Sequence, residues 1–247
     1  MIEDLAIFWP ALVAGLLVTA THVPLGIQVL NRGIVFIDLA VAQIAGLGVI
    51  LGDWLGFEHH GPAAQAFAFG AALGGALLLN LTERLWPQAQ EAIIGVLFIL
   101  AANAALLLLA ANPSGAEHMK DLLVGQILWV KAAELPVLAL VSAAILALWA
   151  WARGRVAFYL LFACAVTVSV QLVGVYLVFA TLIVPALATR SLARARLAVC
   201  YFLGAAGYLA GLALSAISDL PAGPLIVCTI TMLGIALFLT FRPRVPT

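Results

Sequence analysis

The sequence predicts an all-α integral membrane protein of about nine transmembrane segments, and three observations carry that expectation. Of its residues, 66% are hydrophobic and only 9% are charged, against about 25% charged in a soluble globular domain. The mean hydropathy is +1.20. Long apolar runs recur along the whole chain, broken at charges, Pro and Gly. A spanning helix needs roughly 20 apolar residues, so 247 residues supply eight or nine and leave too little for a separate soluble domain. One transmembrane domain, 1–247, is expected, placed as a multi-pass protein in the cytoplasmic (inner) membrane.

The runs place spans, in order, at about 5–30, 34–53, 62–81, 90–111, 133–152, 156–171, 173–189, 195–217 and 223–241. The first is preceded by Glu3 and Asp4 and by no Lys or Arg. A cleavable signal peptide begins with positive charge, so this segment is expected to be retained. Arg32 separates the first and second spans, and Arg84 closes the third. The fourth opens at Glu91, and the fifth ends before Arg153 and Arg155. The sixth and seventh form one run, Val156 to Thr189. At about 1.5 Å per residue it is roughly 50 Å long, against a hydrocarbon core of about 30 Å. Two short spans meeting at Gln171–Gly174, with Pro185 bending the second, fit better than one; merging them gives the eight-span alternative. Charges Arg190–Arg196 precede the eighth span, and Arg242 and Arg244 follow the ninth.

Orientation follows from Lys and Arg, which favour the cytoplasmic side. With nine spans and the N-terminus outside, Arg32, Arg84, Arg153, Arg155, Arg190, Arg194, Arg196, Arg242 and Arg244 lie inside, and only Lys120 and Lys131 outside. Eight spans with the N-terminus inside give seven against four. The expectation is therefore N-out and C-in. Trp9, Trp54, Trp86, Trp129, Trp149 and Trp151 fall near span ends, where indole rings favour the interface. Gly70, Gly74 and Gly75 in the third span and Gly204, Gly207 and Gly211 in the eighth mark faces where helices can approach closely.

Formal net charge is zero and no basic stripe points to nucleic acid. Cys164, Cys200 and Cys228 sit singly in apolar runs and read as small buried packing residues. The chain has no GxxxxGK[ST], HExxH or GxSxG, so it carries no P-loop or hydrolase signature. No enzyme activity and no permanently bound cofactor are expected.

Ionisable residues inside a span are costly and point to function. His22 lies in the first span before Pro24 and Gly26, Asp38 one turn into the second, Gln43 further along it, Gln171 at the sixth–seventh break, and Glu91 at the start of the fourth. His22 stands ten residues before Arg32 and Gln43 eleven after it. In antiparallel neighbours both lie about 15 Å from that turn, with Asp38 nearer the inner surface. Imidazole, carboxylate and amide oxygen together suit zinc or manganese. Asp38 has an ordinary alternative in pairing with Arg32, and His22 in satisfying a carbonyl freed by Pro24. Two outside loops add Glu58-His59-His60 and Glu117-His118, each a candidate contact for a partner delivering substrate or a plain solvated loop. The apolar stretch Leu122–Val130 reads as an interfacial or partly re-entrant helix. The metal-pathway candidates are His22, Asp38, Gln43, Glu91 and His118.

Four stretches resemble the permease subunits of zinc- and manganese-type ABC importers. They are Pro24-Leu-Gly26 through Asp38-Leu-Ala-Val-Ala-Gln43-Ile-Ala-Gly46; Gln90-Glu91-Ala-Ile-Ile-Gly95 with Asp121-Leu-Leu-Val-Gly125; Val173-Gly174 through Pro185-Ala-Leu-Ala-Thr-Arg190; and Asp219-Leu-Pro221-Ala-Gly223-Pro224. The match runs from about Leu17 to Leu239, nearly the whole chain, with one gap. The resemblance implies a type II importer permease, working as a dimer (most simply a homodimer), driven by a separate ATP-binding cassette ATPase and fed by an extracytoplasmic metal-binding protein. The last four spans also look like those of vitamin B12 and siderophore permeases. Two departures stand out. Typical members carry a His four residues after the span-two Asp, where this chain has Ala42, so His22 is a candidate replacement. Members also carry a cytoplasmic helical segment between spans five and six that docks on the ATPase; here Trp151-Ala-Arg153-Gly-Arg155 joins the two directly, about twenty residues shorter. The main alternative is a channel or secondary transporter that needs no ATPase.

Overall fold

The computed structural model describes residues 2–57, 61–109, 125–151, 154–192 and 194–240, with side chains from Ile7 onward. Among the described residues there are nine α-helices: α1 (Ile2–Arg32), α2 (Ile37–Trp54), α3 (Pro62–Leu85), α4 (Gln90–Leu109), α5 (Leu135–Trp151), α6 (Arg155–Val173), α7 (Val175–Ala188), α8 (Arg196–Ser218) and α9 (Ala222–Thr240). Each falls on one predicted span. Eight are long and apolar enough to cross a membrane. The exception is α7, whose 14 residues reach about 21 Å, short of a core of about 30 Å.

The sixth–seventh run divides, but not into two short pieces. Gln171 does not break α6, which continues to Val173 as a full span of 19 residues. The break is Gly174 alone, at φ 81° and ψ 161°, a conformation open essentially only to glycine. The stretch expected as an interfacial helix differs too. Residues 122–124 lie outside the described residues, and 125–130 form no α-helix: Gly125 turns at φ +68° and Ile127–Trp129 make one 3-10 turn. Three residues with exposed Trp129 at one end and buried Ile127 at the other are too few to present an amphipathic face.

The chain divides into two compact units. The first contains residues 1–32, 124–142 and 172–247. In it α1 packs on α7 and α8, and α9 packs on the same two helices. Glycines set the approach: a Cβ on Gly26 would overlap the Leu182 carbonyl, one on Gly204 would meet the Thr19 methyl at 2.6 Å, and one on Gly211 would meet Ile226 Cα at 2.5 Å. Gly125 lies against the main chain of Val173 and Gly174 at the α6–α7 break, and the 3-10 turn that follows it packs on α1 and α9. At the far end of α7 the Arg190 guanidinium lies 5.5 Å over the Phe238 ring.

The second unit contains residues 33–123 and 143–171. In it α2 packs along α3 and α4. Gly48 admits the Phe67 carbonyl and Gly75 admits Ile44. Gly70 and Gly74, expected at a close helix contact, face open space. Their four-residue spacing permits close approach, but the packed face of α3 runs two residues over, through Ala64, Ala68, Ala72 and Ala76.

A spanning helix with an interior proline must find another donor for the carbonyl four residues back. Pro24 frees the Ala20 carbonyl, and Tyr201 of α8 donates its hydroxyl to it at 3.1 Å. That is the role the sequence offered to His22.

Candidate functional site

Asp38 stands in the first turn of α2 and is 1% exposed. A carboxylate there faces the unpaired N–H groups of the helix start, where negative charge is favoured. It accepts from its own backbone N–H and that of Leu39, while its Oδ1 is buried without a hydrogen-bond partner. A carboxylate oxygen with no donor, inside a span, is a standing cost that a cation would relieve.

Gln43 is buried at 8% exposure. Five residues beyond Asp38, it lies about 140° around the helix, so the two do not share a face. The residue on Asp38's face one turn later is Ala42, itself buried.

Glu91, the second residue of α4, comes to the amino end of α2. Its Oε1 accepts from the Phe36 N–H at 3.2 Å, and the Val35 N–H also reaches the carboxylate. Phe36 is the N-cap of α2 and its own side chain supplies no cap. Glu91 therefore caps α2 from another helix, and its Oε2 stays buried without a partner.

Gln90, beside it, is tied down by Thr82 at 2.9 Å, the Leu79 carbonyl at 2.9 Å and the Tyr159 hydroxyl at 3.2 Å. This fixes the start of α4, and with it Glu91, against α3 and α6. Arg155, the first residue of α6, pairs with Glu83 at 3.3 Å at the same end of the unit.

His22, in the other unit, is fully buried. Its Nδ1 lies 3.0 Å from both the Val18 carbonyl and the Thr21 hydroxyl. Nε2 is buried with no hydrogen-bond partner. His118 lies outside the described residues, as do Glu58, His59, His60 and Glu117. Among the described residues no three His, Cys, Asp or Glu side chains come together as a metal cage.

Tyr159 fixes Gln90 beside Glu91, Tyr201 takes the Ala20 carbonyl, and Thr21 lies against His22 Nδ1; none of the three was legible as a site residue. Pro24 signals that a donor is needed near Ala20 but not which residue brings it.

The profile described as the ABC 3 transport family matches residues 4–158 and 152–241. Two solved structures share the fold. PsaBC from Streptococcus pneumoniae in complex with Fab is 21% identical with a TM-score of 0.71, covering 96% of this chain and 91% of that one. An inward-facing conformation of a protein described as a metal-chelate type ABC transporter is 19% identical with a TM-score of 0.66, covering 94% and 84%. No curated protein matches the chain.

Proposed function

The chain belongs to the ABC 3 transport family, and from that premise we propose that it is the membrane-spanning permease subunit of an ABC-type importer for divalent metal ions, zinc or manganese. The observation that carries the reading is the family match along nearly the whole chain, joined to an uncompensated carboxylate oxygen on Asp38 inside a span. A separate ATP-binding cassette ATPase supplies the energy, an extracytoplasmic metal-binding protein supplies the ion, and two copies of the chain form the pathway. The positive charges put the N-terminus outside and the C-terminus inside. Transport is by alternating access. The pathway opens outward to take the ion, ATP-driven closure of the partner reverses it, and Asp38 offers a cation contact on the way through.

One feature favours a second reading. Only residues 152–154 separate α5 from α6, too few for a helix that docks on an ATPase. Either the Arg190–Arg196 loop makes that contact, or the bundle works without an ATPase as a channel or secondary transporter.

The test is reconstitution. The chain is co-expressed with its cognate ATPase, purified, and assayed in proteoliposomes for metal-stimulated ATP hydrolysis and uptake of Zn²⁺ and Mn²⁺. ATP-dependent uptake that Asp38→Asn abolishes, in a variant that melts like the parent, supports the proposal. Uptake without ATP would move the chain to the second reading, and no uptake of any divalent ion would overturn both.

A further inference from the structure

Nδ1 of His22 and the Val18 carbonyl oxygen are 3.0 Å apart. A carbonyl oxygen can only accept, so that approach is attractive only if the proton sits on Nδ1. The Thr21 hydroxyl, 3.0 Å from Nδ1, has its own acceptor in the Val18 carbonyl at 3.0 Å and need not donate to the ring. In the other tautomer Nδ1 and the carbonyl would oppose lone pair to lone pair. The neutral ring is thereby held with Nε2 bare, in a fully buried position with no donor on it. Tyr201 already satisfies the carbonyl that Pro24 frees, so His22 has no remaining duty to the helix. A backbone carbonyl on one ring nitrogen and an open lone pair on the other is how a metal-binding histidine is prepared by its surroundings.

We propose that His22 Nε2 is a direct ligand for the transported cation, and that it biases the cargo toward zinc over manganese. The proposal rests on the permease reading for its cargo. Imidazole suits zinc and similar borderline ions, whereas manganese prefers carboxylate and water. A single imidazole is also what passage needs. A station must bind strongly enough to be occupied and weakly enough to release, and no three-residue cage exists among the described residues to trap the ion.

Two measurements test it, and only the second depends on transport. In the full chain labelled with ¹⁵N-histidine in nanodiscs, the His22 signals are those lost in His22→Gln. Without metal they should report a protonated Nδ1 and a bare Nε2, and added Zn²⁺ should shift Nε2. A protonated Nε2, or no shift with Zn²⁺, overturns the proposal whatever the protein transports. With the ATPase present, His22→Gln should raise the KM for Zn²⁺ by at least about tenfold, in the range seen when metal-site groups are lost, and change that for Mn²⁺ less. Equal effects on both ions, in a variant that melts like the parent, refute the zinc preference. A parent protein that carries neither ion refutes the permease reading and leaves the nitrogen assignment to stand on its spectrum.

Discussion

Gly125→Ala is the sharpest perturbation the fold offers. Gly125 sits at φ +68°, where an L-residue with a Cβ costs about 1–2 kcal/mol. The added methyl would also overlap the carbonyl of Val173 and the nitrogen of Gly174. These are main-chain atoms, which cannot rotate aside, and overpacking of this kind costs about 1–3 kcal/mol. Since Gly174 itself holds a conformation essentially restricted to glycine, the break cannot readily shift to make room. The expected loss is about 2–5 kcal/mol in all. Equilibrium unfolding in mixed micelles, followed by tryptophan fluorescence, measures it. Gly74→Ala is the internal control. It lies mid-helix in α3 with nothing within 4 Å of the added carbon, and replacing a helical glycine by alanine should gain about 0.5–1 kcal/mol. If Gly125→Ala unfolds within about 0.5 kcal/mol of the parent, the range of an ordinary surface change, the seating of residue 125 on the α6–α7 break is wrong.

Two further outcomes follow from the polar contacts. Glu91→Ala should uncap α2, costing about 1 kcal/mol and speeding hydrogen exchange in residues 33–40, while Glu91→Gln keeps an acceptor oxygen and should exchange like the parent; equal exchange in all three proteins would remove the cap. Tyr201→Phe should cost about 1 kcal/mol by leaving the Ala20 carbonyl unpaired, yet almost nothing in a Pro24→Ala background, where the restored N–H takes that carbonyl; an undiminished penalty in the double variant would show that Tyr201 acts by some other contact.

The helices were legible because a membrane span is a one-dimensional property, the length of an apolar run between charges. The nine runs and the nine α-helices among the described residues agree for that reason. Run length also exposed the division of Val156–Thr189, although the residue that breaks it is Gly174 and not the polar Gln171. A polar side chain can stay in a helix, whereas φ 81° with ψ 161° cannot. Packing was less legible. Gly70 and Gly74 carry the same spacing as Gly207 and Gly211 yet meet nothing, while the second pair meets Ile230 and Ile226. Small residues say that a face permits contact, and only the partner helix decides whether contact occurs.

Burial and charge flagged Asp38, His22 and Glu91 from sequence, but their roles depend on atoms far away in the chain. The cap that Glu91 provides lands on Phe36, 55 residues earlier. The hydroxyl that releases His22 from helix repair comes from Tyr201, 181 residues after Ala20. Sequence could offer His22 either to the carbonyl freed by Pro24 or to a cation, since one imidazole suits both. The structure gives the first of these duties to another residue. Tyr201 holds the Ala20 carbonyl, Val18 holds Nδ1, and the lone pair on Nε2 is left over. The cation contact proposed for His22 rests on that one atom, which a donor from any neighbouring helix would have closed.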